Sequence, residues 1–156
     1  MKEDISMIYY FAYGSNMSEE HMRGRLGREI VGEKGVLKGF ELIFNKQADI
    51  KPGRSYANII NKEGTEVQGA IHRISEEELK EIDKNEGYPE HYNRIILNIK
   101  NEDGTEIPCV VYIANCFKTK PGLKPEKEYL ERLLAGKKFM SENYFEWLIK
   151  VDTYGK

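Results

Sequence analysis

The sequence predicts an α+β fold, a small, mostly antiparallel β-barrel flanked by three or four helices. Three observations predict it. Short runs rich in Val, Ile, Tyr and Phe follow one another through glycine-bearing turns, the pattern of adjacent hairpins. Helical periodicity is confined to short segments, each with its own cap or stop residue. No linker is long enough to separate two units, so residues 1–156 read as one domain. Adjacent hairpins in one sheet favour closure into a barrel, with the helices packed outside.

The elements follow in order. Met7 to Ala12 is an apolar run that breaks at Tyr13-Gly14-Ser15-Asn16, a buried strand running into a tight turn. Gly14 either takes a positive φ or lets another group approach closely. Ser15, Asn16 and the turn's free N–H groups suit an oxyanion or a carboxylate. Ser18 caps a short helix with two acids in its first turn, limited by Gly24 and Gly27. Arg23, Arg25 and Arg28 form a basic cluster that is either a solvated face or a contact to a substrate carboxylate or partner. Gly32 to Phe44 reads as strand, bent or bulged at Lys38-Gly39. Asn45 to Ser55 is a loop through Pro52-Gly53, and Tyr56 to Ile60 is strand. Lys62-Glu63-Gly64-Thr65 then reads as a turn leading into a strand from Val67 to Ile74.

A second hairpin joins Tyr92–Lys100 to Ile107–Ala114 across Glu102-Asp103-Gly104. The strings Asn61…Gly64-Thr65-Glu66 and Asn101…Gly104-Thr105-Glu106 match, which predicts the same hairpin chemistry in both places. After a loop with Pro121-Gly122, a helix runs from about Glu126 to Ala135 and stops at Gly136. Ser141 caps a last helix with Tyr144, Phe145, Leu148 and Val151 on one face and Trp147 off it, free to meet a partner or cover a core edge.

The segment between the two β-rich halves has the best-defined boundaries. Ser75 and Glu78 form a capping box, Ile74 and Leu79 a hydrophobic staple, and Gly87 a stop. Leu79 and Ile82 are three apart and Glu86 is four further on, so all three share one face. Glu86 therefore lies on the inward stripe at the helix's negative end. Lost hydration and the helix dipole both raise its pKa toward neutrality, which suits a group that takes and returns a proton near pH 7. The alternative is that Glu86 bends outward or pairs with a base such as Arg94.

Composition bounds the function. At 40% hydrophobic and 32% charged residues, the chain is globular rather than disordered. A formal charge of −2, with acids and bases interspersed, argues against nucleic-acid binding. No apolar stretch reaches the length of a membrane span, and residues 1–6 lack the apolar core of a signal peptide. Cys109 and Cys116 read as buried free thiols of a reducing compartment, and a cytoplasmic protein is expected. His21, His72 and His91 have no metal-ligand spacing, and no phosphate-binding loop is present, so neither metal nor cofactor is expected.

Tyr10-Phe11-Ala12-Tyr13-Gly14-Ser15-Asn16-Met17 resembles the opening motif of the γ-glutamylcyclotransferase family, and Asp83-Lys84-Asn85-Glu86-Gly87 resembles its Asp-x-x-Glu-Gly segment. Tyr112 is similar in placement to a pocket tyrosine. Pro125 to Tyr129 is similar to a Pro-Ser-x-x-Tyr segment, with Glu126 in place of the serine, and Asp152 to Lys156 resembles the tail of the mammalian-type enzymes. Gly87 to Arg94 looks more like bacterial relatives, including some acting on γ-glutamyl amines or γ-glutamylated antibiotic precursors.

The resemblance implies a cyclotransferase for a small-molecule γ-glutamyl substrate. The substrate's own α-amine attacks its γ-carbonyl, 5-oxoproline forms and the attached amine leaves. It further implies Glu86 as acid/base, with Tyr10 to Asn16, Tyr112 and Tyr129 around the substrate. A homodimer is an expectation of the same kind. The leaving amine stays open, and a γ-glutamyl- or 5-oxoproline-binding module without catalysis is the rival reading.

Overall fold

The computed structural model describes residues 7–155; the signal-peptide reading of residues 1–6 and the terminal Lys156 lie outside them. The five strands are β1 (Met7–Ala12), β2 (Glu33–Gln47), β3 (Ser55–Ser75), β4 (Tyr92–Lys100) and β5 (Glu106–Ala114). The α-helices are α1 (Glu19–Leu26), α2 (Glu76–Glu86), α3 (Lys127–Leu134) and α4 (Glu142–Ile149). The strands close into a barrel in the order β1-β3-β2-β4-β5. Every pairing is antiparallel except β1 with β5, which are parallel at Tyr10 and Val110. Each strand thus has a neighbour on both sides, which limits the aggregation hazard of an open sheet.

Alternation along β1 and β5 builds two apolar clusters. Phe11, Cys109 and Val111 face one, to which all five strands contribute. Tyr10, Ala12, Val110 and Tyr112 face the other, with Met22 of α1 and Leu79 and Ile82 of α2 packed over them. These strands are thus buried on both faces, which explains why β1 reads as a continuous apolar run.

One expectation is overturned. Lys62–Thr65 does not reverse the chain: β3 runs unbroken from Ser55 to Ser75 along β2. Phe40 pairs with Asn61 and Lys38 with Glu66, so the four residues between oppose Gly39 alone. They form a bulge, in which the Thr65 hydroxyl bonds the carbonyls of both Lys62 and Phe40 at 2.8 Å. Gly64 in the bulge and Gly104 in the true β4–β5 hairpin have φ of 87° and 82°. The two matching strings therefore share a left-handed glycine but not a topology. β2, with Gly39 at φ 84° opposite the bulge, stays alongside β3 from Ser55 to Ile71 and decides the difference.

The thiol reading also changes. Both cysteines are free, but only Cys109 is buried; Cys116 is exposed because it sits in the 3₁₀ turn Cys116–Lys118 beyond the end of β5. No helix among the described residues is long and apolar enough to cross a membrane.

Candidate active site

The site lies where the chain leaves β1 and meets the end of α2. α2 forms as its capping box requires: Ser75 Oγ accepts from Glu78 N–H at 3.1 Å, and Glu78 Oε1 accepts from Ser75 N–H at 2.9 Å. Gly87, at φ 73°, ends the helix and leaves Glu86 in its last turn. On the other side, Gly14 precedes a 3₁₀ turn over Ser15–Met17. Its φ is −112°, so the glycine is there for close approach: a Cβ would stand 3.3 Å from Tyr129 Oη. Ser18 then caps α1, accepting from His21 N–H at 3.1 Å.

Glu86, Gly14, Ser15 and Asn16 line one hollow of about 30 Å³, walled by the rings of Tyr10, Tyr13, Tyr92, Tyr112 and Tyr129. Every tyrosine hydroxyl is engaged. Tyr13 donates to Tyr112 O at 2.6 Å, Tyr92 to Ala57 O at 2.7 Å and Tyr112 to Asp83 Oδ1 at 2.6 Å. Tyr10 and Tyr129 instead accept, from Asn16 Nδ2 at 2.9 Å and from Ala57 N–H at 3.0 Å, so each keeps its own proton to donate. Asn16 Oδ1 is buried without a hydrogen-bond partner among the described residues. A buried acceptor left unpaired is costly, and it suits an N–H of a bound molecule.

The electrostatics single out one group. Burial pushes the Glu86 carboxyl up from its ordinary 4.5 to about 7, while Arg25 and Lys46 pull it part of the way back. Protein surrounds the carboxyl on nearly all sides; its residual exposure is through the mouth of a larger groove that shares it. Burial, with Glu86 adding to it, also holds the phenols of Tyr10, Tyr13, Tyr92, Tyr112 and Tyr129 far above neutrality. Near pH 7 the tyrosines are neutral walls and donors, and among the groups lining the hollow the Glu86 carboxyl is the one whose pKa lies near neutrality.

Of the residues singled out in the sequence, the hollow is lined by Tyr10, Phe11, Tyr13, Gly14, Ser15, Asn16, Glu86, Tyr112 and Tyr129. Ala12 does not line it. Its side chain faces the outer cluster, and its carbonyl lies where a Cβ on Gly69 would come within 2.2 Å. Arg94 does not pair with Glu86; it grips Asp83 at 2.9 and 3.2 Å and stacks 4.3 Å over the Tyr88 ring. Among the basic cluster, Arg23 pairs with Glu29 and Arg28 with Glu78, whereas Arg25 faces the groove beside Glu86. Glu126, in place of a serine, makes no cap; it pairs with Lys51 at 3.3 Å and Arg54 at 2.9 Å, tying the β2–β3 loop to the start of α3.

Four contributors were not singled out. Tyr92 and Ala57 complete the wall. Asn58 accepts from Ala114 N–H at 2.9 Å and donates to Asn45 Oδ1 at 3.0 Å, joining β3, β5 and β2 beneath the site. Lys46 is buried at 3% exposure with its ammonium in the groove. None of the four carries a local signal: a polar, aromatic or small residue within a strand is ordinary until the barrel closes around it. No cluster of residues suited to a metal ion occurs among the described residues.

Residues 10–132 match the family model described as Gamma-glutamyl cyclotransferase, AIG2-like. A Bos taurus protein named Gamma-glutamylcyclotransferase is 28% identical over 141 residues, covering 87% of this chain and 73% of the relative. The Homo sapiens protein of the same name is 26% identical over 140 residues, covering 86% of this chain and 72% of the relative. A solved structure named Gamma-glutamyl cyclotransferase superposes with a TM-score of 0.86 at 24% identity, covering 97% of this chain and 91% of the other. YkqA from Bacillus subtilis superposes at 0.78 with 21% identity, covering 95% of this chain and 56% of the other. At such identities the superpositions establish the shared fold.

Proposed function

This chain belongs to the gamma-glutamyl cyclotransferase, AIG2-like family, a family of enzymes, and from that premise we propose that it releases 5-oxoproline from γ-glutamyl compounds with Glu86 as the proton carrier. The reaction supplies its own nucleophile. The substrate's α-ammonium gives a proton to the Glu86 carboxylate, and the freed amine attacks the γ-carbonyl carbon to close a five-membered ring. The protonated Glu86 returns that proton to the departing nitrogen as the old C–N bond breaks, and the second proton of the new ring nitrogen passes by the same carboxylate to the amine, which leaves as an ammonium. One lactam and one amine leave, and the enzyme is restored.

The observation that carries the reading is a carboxyl with a pKa of about 7 in the same hollow as the Gly14–Asn16 turn. A group with that pKa is available in both protonation states at neutrality. The surrounding groups have matching tasks. The unpaired Asn16 Oδ1 accepts from the α-nitrogen, and the spare protons of Tyr10 and Tyr129 are donors for the substrate's oxygens. The N–H groups of Ser15 and Asn16, opening their turn, are further donors. The close tyrosine walls hold the glutamyl chain folded, and such intramolecular positioning reaches about 7–11 kcal/mol in ideal cases.

The deciding experiment is 5-oxoproline release from γ-glutamyl-alanine by the wild type and by Glu86→Gln. The variant should lose about 10²–10⁴-fold. Near-normal turnover would refute the assignment, and tight 5-oxoproline binding with no turnover by the wild type would favour the binding-module reading. We extend the reading to a cytoplasmic homodimer. Trp147 and Ile149, 44% and 46% exposed on α4, are the candidate contact, and light scattering tests it.

A further inference from the structure

Beside the hollow runs a groove of about 610 Å³, sharing Ser15, Glu86, Tyr92 and Tyr129 with it. Its size is that of a ligand site, and because it opens next to Glu86 it is where the departing half of a substrate would lie. Its charge is lopsided. Arg25, Lys46, Lys51, Lys84 and Arg132 line it, against Asp49 and Glu86. Lys51 is matched by Glu126 at 3.3 Å, and Lys84 by Glu81 at 3.8 Å. Arg25, Lys46 and Arg132 have no carboxylate within salt-bridge distance among the described residues.

Lys46 is the most telling of these. Its side chain is buried, its ammonium donates to Gln47 O at 2.6 Å, and it stands 5.8 Å from the ring centres of both Tyr56 and Tyr92. A buried ammonium with one carbonyl partner has donors to spare and is costly without an anion nearby. Arg25 donates to His21 Nε2 at 3.1 Å, an uncharged acceptor as long as that histidine is neutral, and burial holds His21 below its ordinary pKa. Asp49, 3.3 Å from His91, is the groove's own acid apart from Glu86 and offsets one of the three cations. With Glu86 ionised one positive charge is left without a counterpart, and once Glu86 has taken the substrate's proton two are.

Resting on the cyclotransferase reading, we propose that this groove is an anion-selective subsite for the leaving amine, fitted to γ-glutamyl conjugates whose amine half is dicarboxylic, such as a second glutamate. A neutral alkylamine brings nothing to Lys46 and Arg132. An ε-linked lysine brings one carboxylate but an ammonium beside it, for no net negative charge.

The test compares kcat/KM for 5-oxoproline release from γ-glutamyl-glutamate, γ-glutamyl-alanine and γ-glutamyl-propylamine. Efficiency should fall about 10-fold or more with each carboxylate removed, the order of a charge-assisted hydrogen bond. Added salt should narrow the spread, because exposed Arg132 is screened. Lys46→Met should cut the ratio of glutamate to propylamine efficiency about 10-fold. Arg132→Gln, on the exposed side of α3, should lower the same ratio and guards against a folding defect at the buried lysine. A general loss of structure would lower all three substrates together and leave the ratio intact. Equal efficiencies, or ratios unmoved in both variants, overturn this inference while the cyclotransferase reading stands. Release from none of the three overturns both.

Discussion

Replacing Glu86 by glutamine should make this protein more stable in mild alkali and leave it unchanged in mild acid. The folded chain holds the Glu86 proton with a pKa of about 7, against an ordinary 4.5 once unfolded. The folded state therefore binds this proton more tightly. Below about pH 4.5 the carboxyl is protonated in both states and its contribution is fully present; as the pH rises through 7 the folded protein must house an anion and that contribution is lost. At ~1.4 kcal/mol for each unit of pKa, the loss by pH 8.5 approaches about 3 kcal/mol. Glutamine keeps the shape and cannot ionise. Urea unfolding of both proteins at pH 4 and pH 8.5 measures the effect, with the variant expected to gain on the order of 2–3 kcal/mol at the higher pH and little at the lower. Equal stabilities at pH 8.5, or a variant less stable there than the wild type, would show that the carboxylate is adequately solvated and would remove the physical basis for its tuning.

Other outcomes follow from the same geometry. In the wild type, kcat/KM should rise with pH and level off around an apparent pKa near 7, because the free enzyme must present the Glu86 anion to the substrate's ammonium; a flat profile from pH 5.5 to 8 would contradict this. Asp83→Asn strips the Arg94 guanidinium of its carboxylate and weakens the Tyr112 contact, and should cost about 1–3 kcal/mol in urea unfolding, more than Tyr112→Phe, which removes one bond alone. Gly69→Ala drives a methyl to 2.2 Å from the Ala12 carbonyl and should destabilise by about 1–3 kcal/mol or abolish folding, read from the thermal midpoint. Ser75→Ala removes half of the capping box and should cost about 1 kcal/mol while raising KM, since α2 carries Glu86.

How much was legible in the amino-acid string depended on how local the physics was. α2 was readable to its ends because the capping box and the stop glycine are chemistry among neighbours. Its inward face followed from spacing, which put Glu86 beside Leu79 and Ile82. The Gly14 bend could be located, but its reason could not; close approach depends on Tyr129, far along the chain. The Gly64 bulge was misread for the same cause, since its twin around Gly104 does turn the chain and only the partner strand separates them. Arg94 could be named as a possible mate for Glu86, yet only the packed structure offers it Asp83 in two-pronged geometry. Ala57, Asn58, Tyr92 and Lys46 carry no local signal at all, and they matter only because the closing strands bring them to one end of the barrel.

The bulge in β3 has an evolutionary side. Upstream of it, Ala57 and Asn58 brace the chamber; downstream, Ala70 to Ser75 clasp the opening strand. Because the surplus residues at Lys62–Thr65 loop out against a lone glycine, the chain can gain or lose a residue there without throwing either half out of phase. Length variation among related chains should collect at this hinge point, where indels are absorbed, while the stretches on either side keep step.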